Sequence, residues 1–330
     1  MIISRAPFRI SLAGGGSDLP SYSDKFGGEV FSFTINKYIY IAIHSHYPGG
    51  IKLNYSSNET VQSVKEIKHP LFRETLNHLN FDLPVEIASF ADIPSSGSGL
   101  GSSSAFTVAL INAIGSFSGR TSSPHELAEI ACHVEIELCQ EPIGKQDQFA
   151  SAFGGIRHFE FSKDGLTNAD KFVGDNGMKE FLDSCLSAFY LGFGRSASDI
   201  LAQQSKLMDS HDQSISSVKE MVELVSPTIE AVRGNNYLEL GELLTLGWNL
   251  KKSLTSKISN QKIEHNINLA IKAGALGAKI LGAGGGGFML VCHPPGMRKS
   301  LSEKLSHLRM LDFQVSMNGA NIVYSDEGNK

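Results

Sequence analysis

An α+β chain of two domains is the fold class this sequence predicts, and two observations predict it. Its 330 residues are long for one core and comfortable for two of ordinary size. Near residue 180 the texture changes from strand-rich segments to long helices with a few strands among them. The expected domains are residues 1–180 and 181–330.

Taken in order, residues 2–13 read as a strand that runs into Gly14-Gly15-Gly16-Ser17-Asp18. Arg9 and Asp18 flank this first glycine cluster with charges that a purely structural turn does not require. Residues 29–47 are rich in β-branched and aromatic side chains and predict one or two strands; a helix over 70–80 and a strand over 85–93 follow. Ser123 as N-cap, Pro124 at the first helical position and Glu126 in a capping box start the next helix. Its apolar stripe is Leu127, Ile130, Ala131, Val134 and Leu138. Glu135 stands beside that stripe, near the interior, whereas Glu137 points away. Glu141-Pro142-Ile143-Gly144 stops the helix, and Lys145 to Phe149 opens a short helical turn carrying Asp147, where acids often serve only as caps.

Residues 150–177 mix glycine, charge and short strand-like pieces and suit a boundary. Beyond them CLSAFYLGF reads as a strand leading to a loop with Arg195, Ser196 and Ser198. A helical stripe runs from Ile215 to Val232 despite Pro227, and helices cover 236–254 and 261–273. A glycine cluster at 282–287, the buried strand FMLVC, a helix over about 296–308 and a final strand over 312–324 complete the second domain.

Composition excludes several classes. The 34 acidic and 29 basic residues are spread along the chain without a basic block, which argues against nucleic acid as a partner. No run approaches the ~18 apolar residues of a membrane span, and the first residues lack a signal-peptide core, so a cytoplasmic protein with no membrane partner is expected. Cys132, Cys139, Cys185 and Cys292 lack CxxC spacing and suit reduced thiols.

The stretch IPSSGSGLGSSSAFTVALINAIGSF (93–117) organises the rest. A strand ends, a loop with Gly97, Gly99 and Gly101 follows, and an almost wholly apolar helix begins at Ser102. Free N–H groups and the positive dipole end of that helix face the loop, a layout that favours a polyphosphate. No lysine lies between 94 and 117, so this is not a P-loop, and the third glycine comes one residue too early for a dinucleotide fingerprint.

Three glycine clusters in this order, APFRISLAGGGSD, GSGLGSSSA and LGAGGGGF, with the acid-bearing VEIELCQEPIGKQDQF between them, resemble the motifs of the GHMP small-molecule kinases. The resemblance runs from Arg5 to about Val291. It implies an N-terminal domain like domain 2 of ribosomal protein S5 and a ferredoxin-like C-terminal domain, with ATP and substrate between them. GGGSDLPSY, GKQDQF, GRSAS and the segment from Trp248 to Leu254 are most similar to heptose 7-phosphate kinases of nucleotide-activated heptose biosynthesis. Fucokinases share GGGSD-like sequences, so a fucokinase-like or galactokinase-like enzyme acting on an unphosphorylated sugar is the alternative.

Residue by residue, the resemblance implies that Asp147 is the catalytic base with Arg9 paired to it, and that Ser103 and Glu135 hold Mg²⁺. ATP is expected on Ser95, Gly97, Ser98, Gly99, Leu100, Gly101, Ser102, Ser103 and Ser104. The sugar or sugar phosphate is expected near Asp18, Gly15, Gly16, Ser17, Lys145, Gly285 and Gly286. Cations for a phosphate on the acceptor are Arg195, Lys251 and Lys252, of which Arg195 sits in the loop composition best suited to one. Gly15 and Gly16 stand where galactokinases carry Glu-His, which argues against galactose. A sensor without catalysis predicts loss of an acid, yet Ser103, Glu135 and Asp147 are all present. A homodimer is compatible with the sequence, which does not specify the oligomeric state.

Overall fold

The computed structural model describes the chain apart from residues 95–96, 193–196, 211 and 327–330. It opens with β1 (Ile2–Ala13), α1 (Pro20–Phe26), the long β2 (Gly28–Ser45), β3 (Ile51–Asn54), β4 (Asn58–Val61), α2 (Pro70–His78) and β5 (Val85–Ala91). Next come α3 (Ser102–Phe117), α4 (Pro124–Cys132), α5 (Gln146–Phe153), β6 (Ile156–Phe161), β7 (Thr167–Val173) and α6 (Asn176–Cys185). The remainder holds β8 (Leu186–Tyr190), α7 (Ala197–Ser210), α8 (Asp212–Glu223), α9 (Val225–Arg233), α10 (Tyr237–Leu254) and α11 (Gln261–Lys272). It ends with β9 (Gly277–Ile280), β10 (Phe288–Cys292), α12 (Arg298–Lys304), β11 (Arg309–Leu311), β12 (Val315–Ser316) and β13 (Asn321–Ser325).

Two sheets result. β2 is the spine of the larger one: it pairs with β1 along most of its length, with β6 at its start, β12 in its middle and β5 at its end. The smaller sheet has the order β11-β8-β10-β9 and is antiparallel throughout. With helices between β8 and β9 and between β10 and β11, that order is ferredoxin-like. α3 lies buried on β1 and β2 because its apolar residues leave almost no polar face; Asn112 is an exception and donates to the Ser4 hydroxyl at 3.1 Å.

The structure departs from the sequence expectations in four places. The final strand belongs to the first sheet, not the second domain: β13 pairs with the free edge of β1, and β12 with β2. Residues 150–177, expected as a boundary, supply β6 and β7 to the first sheet. The stripe expected from Ile215 to Val232 is two helices, α8 and α9, and Pro227 falls in the first turn of α9, where its missing N–H costs no helical bond. Ala197 and Ser198, read as loop, begin α7. We propose a domain division near residue 180, inside α6, with the chain returning to the first sheet at its end.

Candidate active site

The three glycine clusters meet because backbone packs on backbone. A Cβ on Gly282 would stand 2.5 Å from the Gly99 Cα, and one on Gly99 would stand 2.4 Å from the Leu281 carbonyl oxygen. Phe288 N donates to the Ser98 carbonyl at 3.2 Å, so β10 is tied to the same loop. Arg9 joins the first cluster to the second, its backbone N–H donating to the Leu100 carbonyl at 3.0 Å and its Nη1 to the Gly99 carbonyl at 2.7 Å. Beneath these contacts opens a cavity of about 630 Å³, lined from both sheets.

Asp147 stands in the first turn of α5 at the mouth of the loop. Arg9 holds it in a fork, Nε donating to Oδ1 and Nη2 to Oδ2, each at 2.7 Å. Gly97, Gly99 and Gly101 have φ of 68°, 76° and 75°, and α3 starts at Ser102 with no side-chain cap, so its first N–H groups face the cavity. Ser98 and Ser102 bond each other through their hydroxyls at 2.7 Å. Gly97, Ser98, Gly99, Gly101 and Ser102 to Ser104 line the cavity, whereas Leu100 is anchored in the core.

Glu135 departs most from simple helical geometry. α4 carries the expected capping box at Ser123 and Glu126, but beyond Cys132 it widens into a π-helical turn, His133–Leu138, in which Cys139 N bonds the Val134 carbonyl at 2.9 Å. The turn drives Glu135 fully inside and leaves Leu138, expected in the apolar stripe, 39% exposed. Burial raises the Glu135 carboxyl to about 7, opposed by hydrogen bonds from Ser103, Ser104 and Gln148 and aided by the charge of Asp147. Ser103 Oγ donates to Glu135 Oε1 at 2.5 Å and Gln148 Nε2 to Oε2 at 2.6 Å. A hydroxyl and a carboxylate converging here are hard oxygen donors of the kind that fit Mg²⁺; Ser103 lines the cavity, whereas Glu135 is enclosed just behind it. No group of three or more His, Cys, Asp or Glu able to hold a metal occurs among the described residues.

Asp18 lies further along β1's exit. Gly16 N donates to its Oδ1 at 3.1 Å, Gln146 N to Oδ2 at 3.2 Å and Gln146 Nε2 to Oδ1 at 3.0 Å. Burial, and then the charge of Asp147, raises its carboxyl above the usual range. Gly144 makes this packing possible, since a Cβ there would fall 2.0 Å from Asp18 Oδ2. Gly15 and Gly16 line the cavity; Ser17 instead braces the loop, donating to the Gly14 carbonyl at 2.8 Å.

Not every expected residue arrives. Lys145 turns to the Gly165 carbonyl at 2.7 Å and Lys252 to Glu264 at 3.0 Å, over the Trp248 ring. Gly285 and Gly286 are buried behind the cavity wall, Gly285 N bonding the Ile258 carbonyl at 2.7 Å. Ser95 and Arg195 lie outside the described residues. Lys251 does line the cavity, bonded to the Gly282 carbonyl, and burial lowers its ammonium to about 8. Lys279, on β9, was missed: it lines the same cavity and donates to the Ser11 and Leu12 carbonyls at 3.1 and 2.9 Å. A single lysine in the short run GAKI gives no periodic signal. Gln204 of α7 was missed for the same reason, and its amide is buried in the cavity wall without partners.

Comparison with known proteins agrees with this architecture. The model of the GHMP kinase N-terminal domain matches residues 61–155 and that of the GHMP kinase C-terminal domain residues 228–306. The chain belongs to the GHMP kinases. It is therefore a phosphotransferase with an alcohol group as acceptor. This kinase is 29% identical over 319 residues to the D-glycero-alpha-D-manno-heptose 7-phosphate kinase of Campylobacter jejuni, covering 92% of this chain and 93% of that one. It is 27% identical over 356 residues to the L-fucokinase/L-fucose-1-P guanylyltransferase of Bacteroides fragilis, covering 94% of this chain but 37% of that protein. A crystal structure of a D-glycero-D-manno-heptose 1-phosphate kinase from Bacteroides thetaiotaomicron superposes with a TM-score of 0.80 at 24% identity, covering 98% of this chain and 100% of that one, and supports the shared fold.

Proposed function

We propose that this GHMP kinase transfers the γ-phosphoryl group of ATP to the anomeric hydroxyl of D-glycero-D-manno-heptose 7-phosphate, giving the 1,7-bisphosphate. The forked Arg9–Asp147 pair beside the glycine loop carries this reading, because it holds a carboxylate where a phosphoryl group on the loop would meet an acceptor hydroxyl. Asp147 orients that hydroxyl and takes its proton as the new O–P bond forms and the bond to ADP breaks. The N–H groups at the start of α3, with the loop backbone around Gly97, Gly99 and Gly101, bind the triphosphate oxygens. Ser103 and Glu135 would hold Mg²⁺, which when bound neutralises charge on those oxygens. Asp18 orients the sugar through its hydroxyls. The heptose phosphate reading is supported by the near full-length match to the Campylobacter jejuni kinase. The fucokinase relative, together with the acid at Asp18, favours a free-sugar 1-kinase as the second reading. A cytosolic protein remains our reading of its location.

A coupled assay of ADP release with heptose 7-phosphate, mannose 6-phosphate, fucose and galactose tests the proposal. Heptose 7-phosphate is expected to give the highest kcat/KM; a preference for fucose or galactose would move the assignment to the second reading.

A further inference from the structure

The cavity wall carries three cations, Arg9, Lys251 and Lys279, and three acids, Asp18, Glu141 and Asp147, but among the described residues no carboxylate is bonded to either lysine. Arg9 is committed to Asp147 and to the Gly99 carbonyl. Asp18 is enclosed by Gly16 and Gln146. Lys251 and Lys279 line the cavity with backbone carbonyls as their hydrogen-bond acceptors, one for Lys251 and two for Lys279. An ammonium has three N–H donors, so each lysine keeps at least one for a ligand. Beside Lys279, the Ser11 hydroxyl is buried in the same wall without a hydrogen-bond partner. A half-enclosed ammonium with no carboxylate on it and an idle hydroxyl next to it form an incomplete site, and what completes it is an anion with several acceptor oxygens.

Lys279 and Ser11 stand apart from the nucleotide loop, whereas Lys251, through the Gly282 carbonyl, stands next to it. β1 runs from Arg9, whose N–H meets the glycine loop, to Ser11 and Leu12, whose carbonyls hold Lys279, and on to Gly14–Asp18. At ~3.3 Å per residue, Leu12 lies on the order of 10 Å beyond Arg9 along the strand, away from the loop and toward Asp18. Arg9 and Ser11 project from the same face of β1, so an acceptor with one end at Asp147 extends past Ser11.

We propose that Lys279, with Lys251 and the Ser11 hydroxyl, binds the phosphate that the acceptor already carries and thereby selects a phosphorylated sugar over a free one. The inference rests on the reading of the protein as a heptose phosphate kinase and names the residues that make that choice. Burial, and then the neighbouring Lys251 and Arg9 charges, lowers the Lys279 ammonium to about 7, which is the cost a dianionic phosphate would relieve.

Steady-state kinetics of wild type and Lys279→Met with heptose 7-phosphate, mannose 6-phosphate and mannose test it. The variant is expected to lose roughly ten- to a hundredfold in kcat/KM for the phosphorylated sugars, mainly through KM, with a much smaller loss for mannose. Equal losses for all three sugars, or a comparable rise in the KM for ATP, would overturn the role of Lys279 while leaving the heptose phosphate reading in place. A wild type that uses mannose as well as mannose 6-phosphate and ignores heptose 7-phosphate would overturn both. Should Lys279→Met not fold, wild-type protein treated with an amine-selective arylating reagent gives the same answer by peptide mass spectrometry. Mannose 6-phosphate should protect Lys279 from labelling, whereas protection by ATP alone, or by mannose equally well, would contradict the proposal.

Discussion

At the scale of single residues, the cavity depends on charges taken out of water and then answered unequally. Lys279 and Lys251 lose their protons near 7 and 8 in the folded protein, burial being the main cause, against 10.5 in an exposed lysine. Between those values the unfolded chain binds more protons than the folded one, so these two groups make stability rise with pH from about 7 upward. Below about 7 both are charged in either state, and the cost of enclosing them is fully present. The charged groups around them are Arg9 and the carboxylates Asp18 and Asp147, with Glu141 on the same cavity wall. An anion that pairs with the lysines favours their protonated forms. Sulfate should therefore raise the Tm more at about pH 6 than at about pH 9, and this difference should shrink in Lys279→Met. A sulfate effect independent of pH in wild type would mean that neither lysine meets the anion. The pairing of Asp147 with Arg9 was legible only through the family resemblance, since an acid after a helix stop reads by itself as a cap and Arg9 as a charge beside a glycine cluster. Lys279 was not legible, since its place on the cavity wall depends on β9 packing beside β1.

Elements are joined at this site by backbone contact more than by side-chain packing. Gly282 presses on the Gly99 backbone at φ +70°, which leaves no room for a side chain and no strain-free conformation for one. Gly282→Ala is expected to cost about 1–3 kcal/mol and to raise the KM for ATP, because relieving the clash moves the loop that meets the phosphates. Thermal unfolding and ATP kinetics check this together, and an unchanged Tm with unchanged KM would mean that the clusters need not touch. The meeting of the clusters was visible in the sequence only through the family resemblance, since glycine spacing alone describes any flexible loop. The capping box at Ser123 was read correctly because its signal is local. The π-helical turn at His133–Leu138 was not, because a strict helical period puts Glu135 beside the stripe, and it takes the widened turn to bring it fully inside.

Across the whole molecule, two sheets close on one cavity, and the chain's end ties them together. β13 completes the edge of β1, the strand that carries Arg9 and leads to Asp18, after the ferredoxin-like sheet has been built. Strand content near the C-terminus was evident from composition, but its partner was not, because an edge pairing over more than three hundred residues leaves no local pattern. On our reading the nucleotide loop and the acceptor end lie on opposite sides of the Arg9–Asp147 pair, and the central claim is that Asp147 is the base between them. Product formation from ATP and heptose 7-phosphate by wild type and Asp147→Asn, followed by ³¹P NMR, tests that claim most directly. Wild type should yield a phosphate on the anomeric oxygen in step with ADP, and the variant should bind ATP with nearly unchanged affinity yet turn over at least ~10²-fold more slowly. Turnover by Asp147→Asn close to that of wild type would contradict the account.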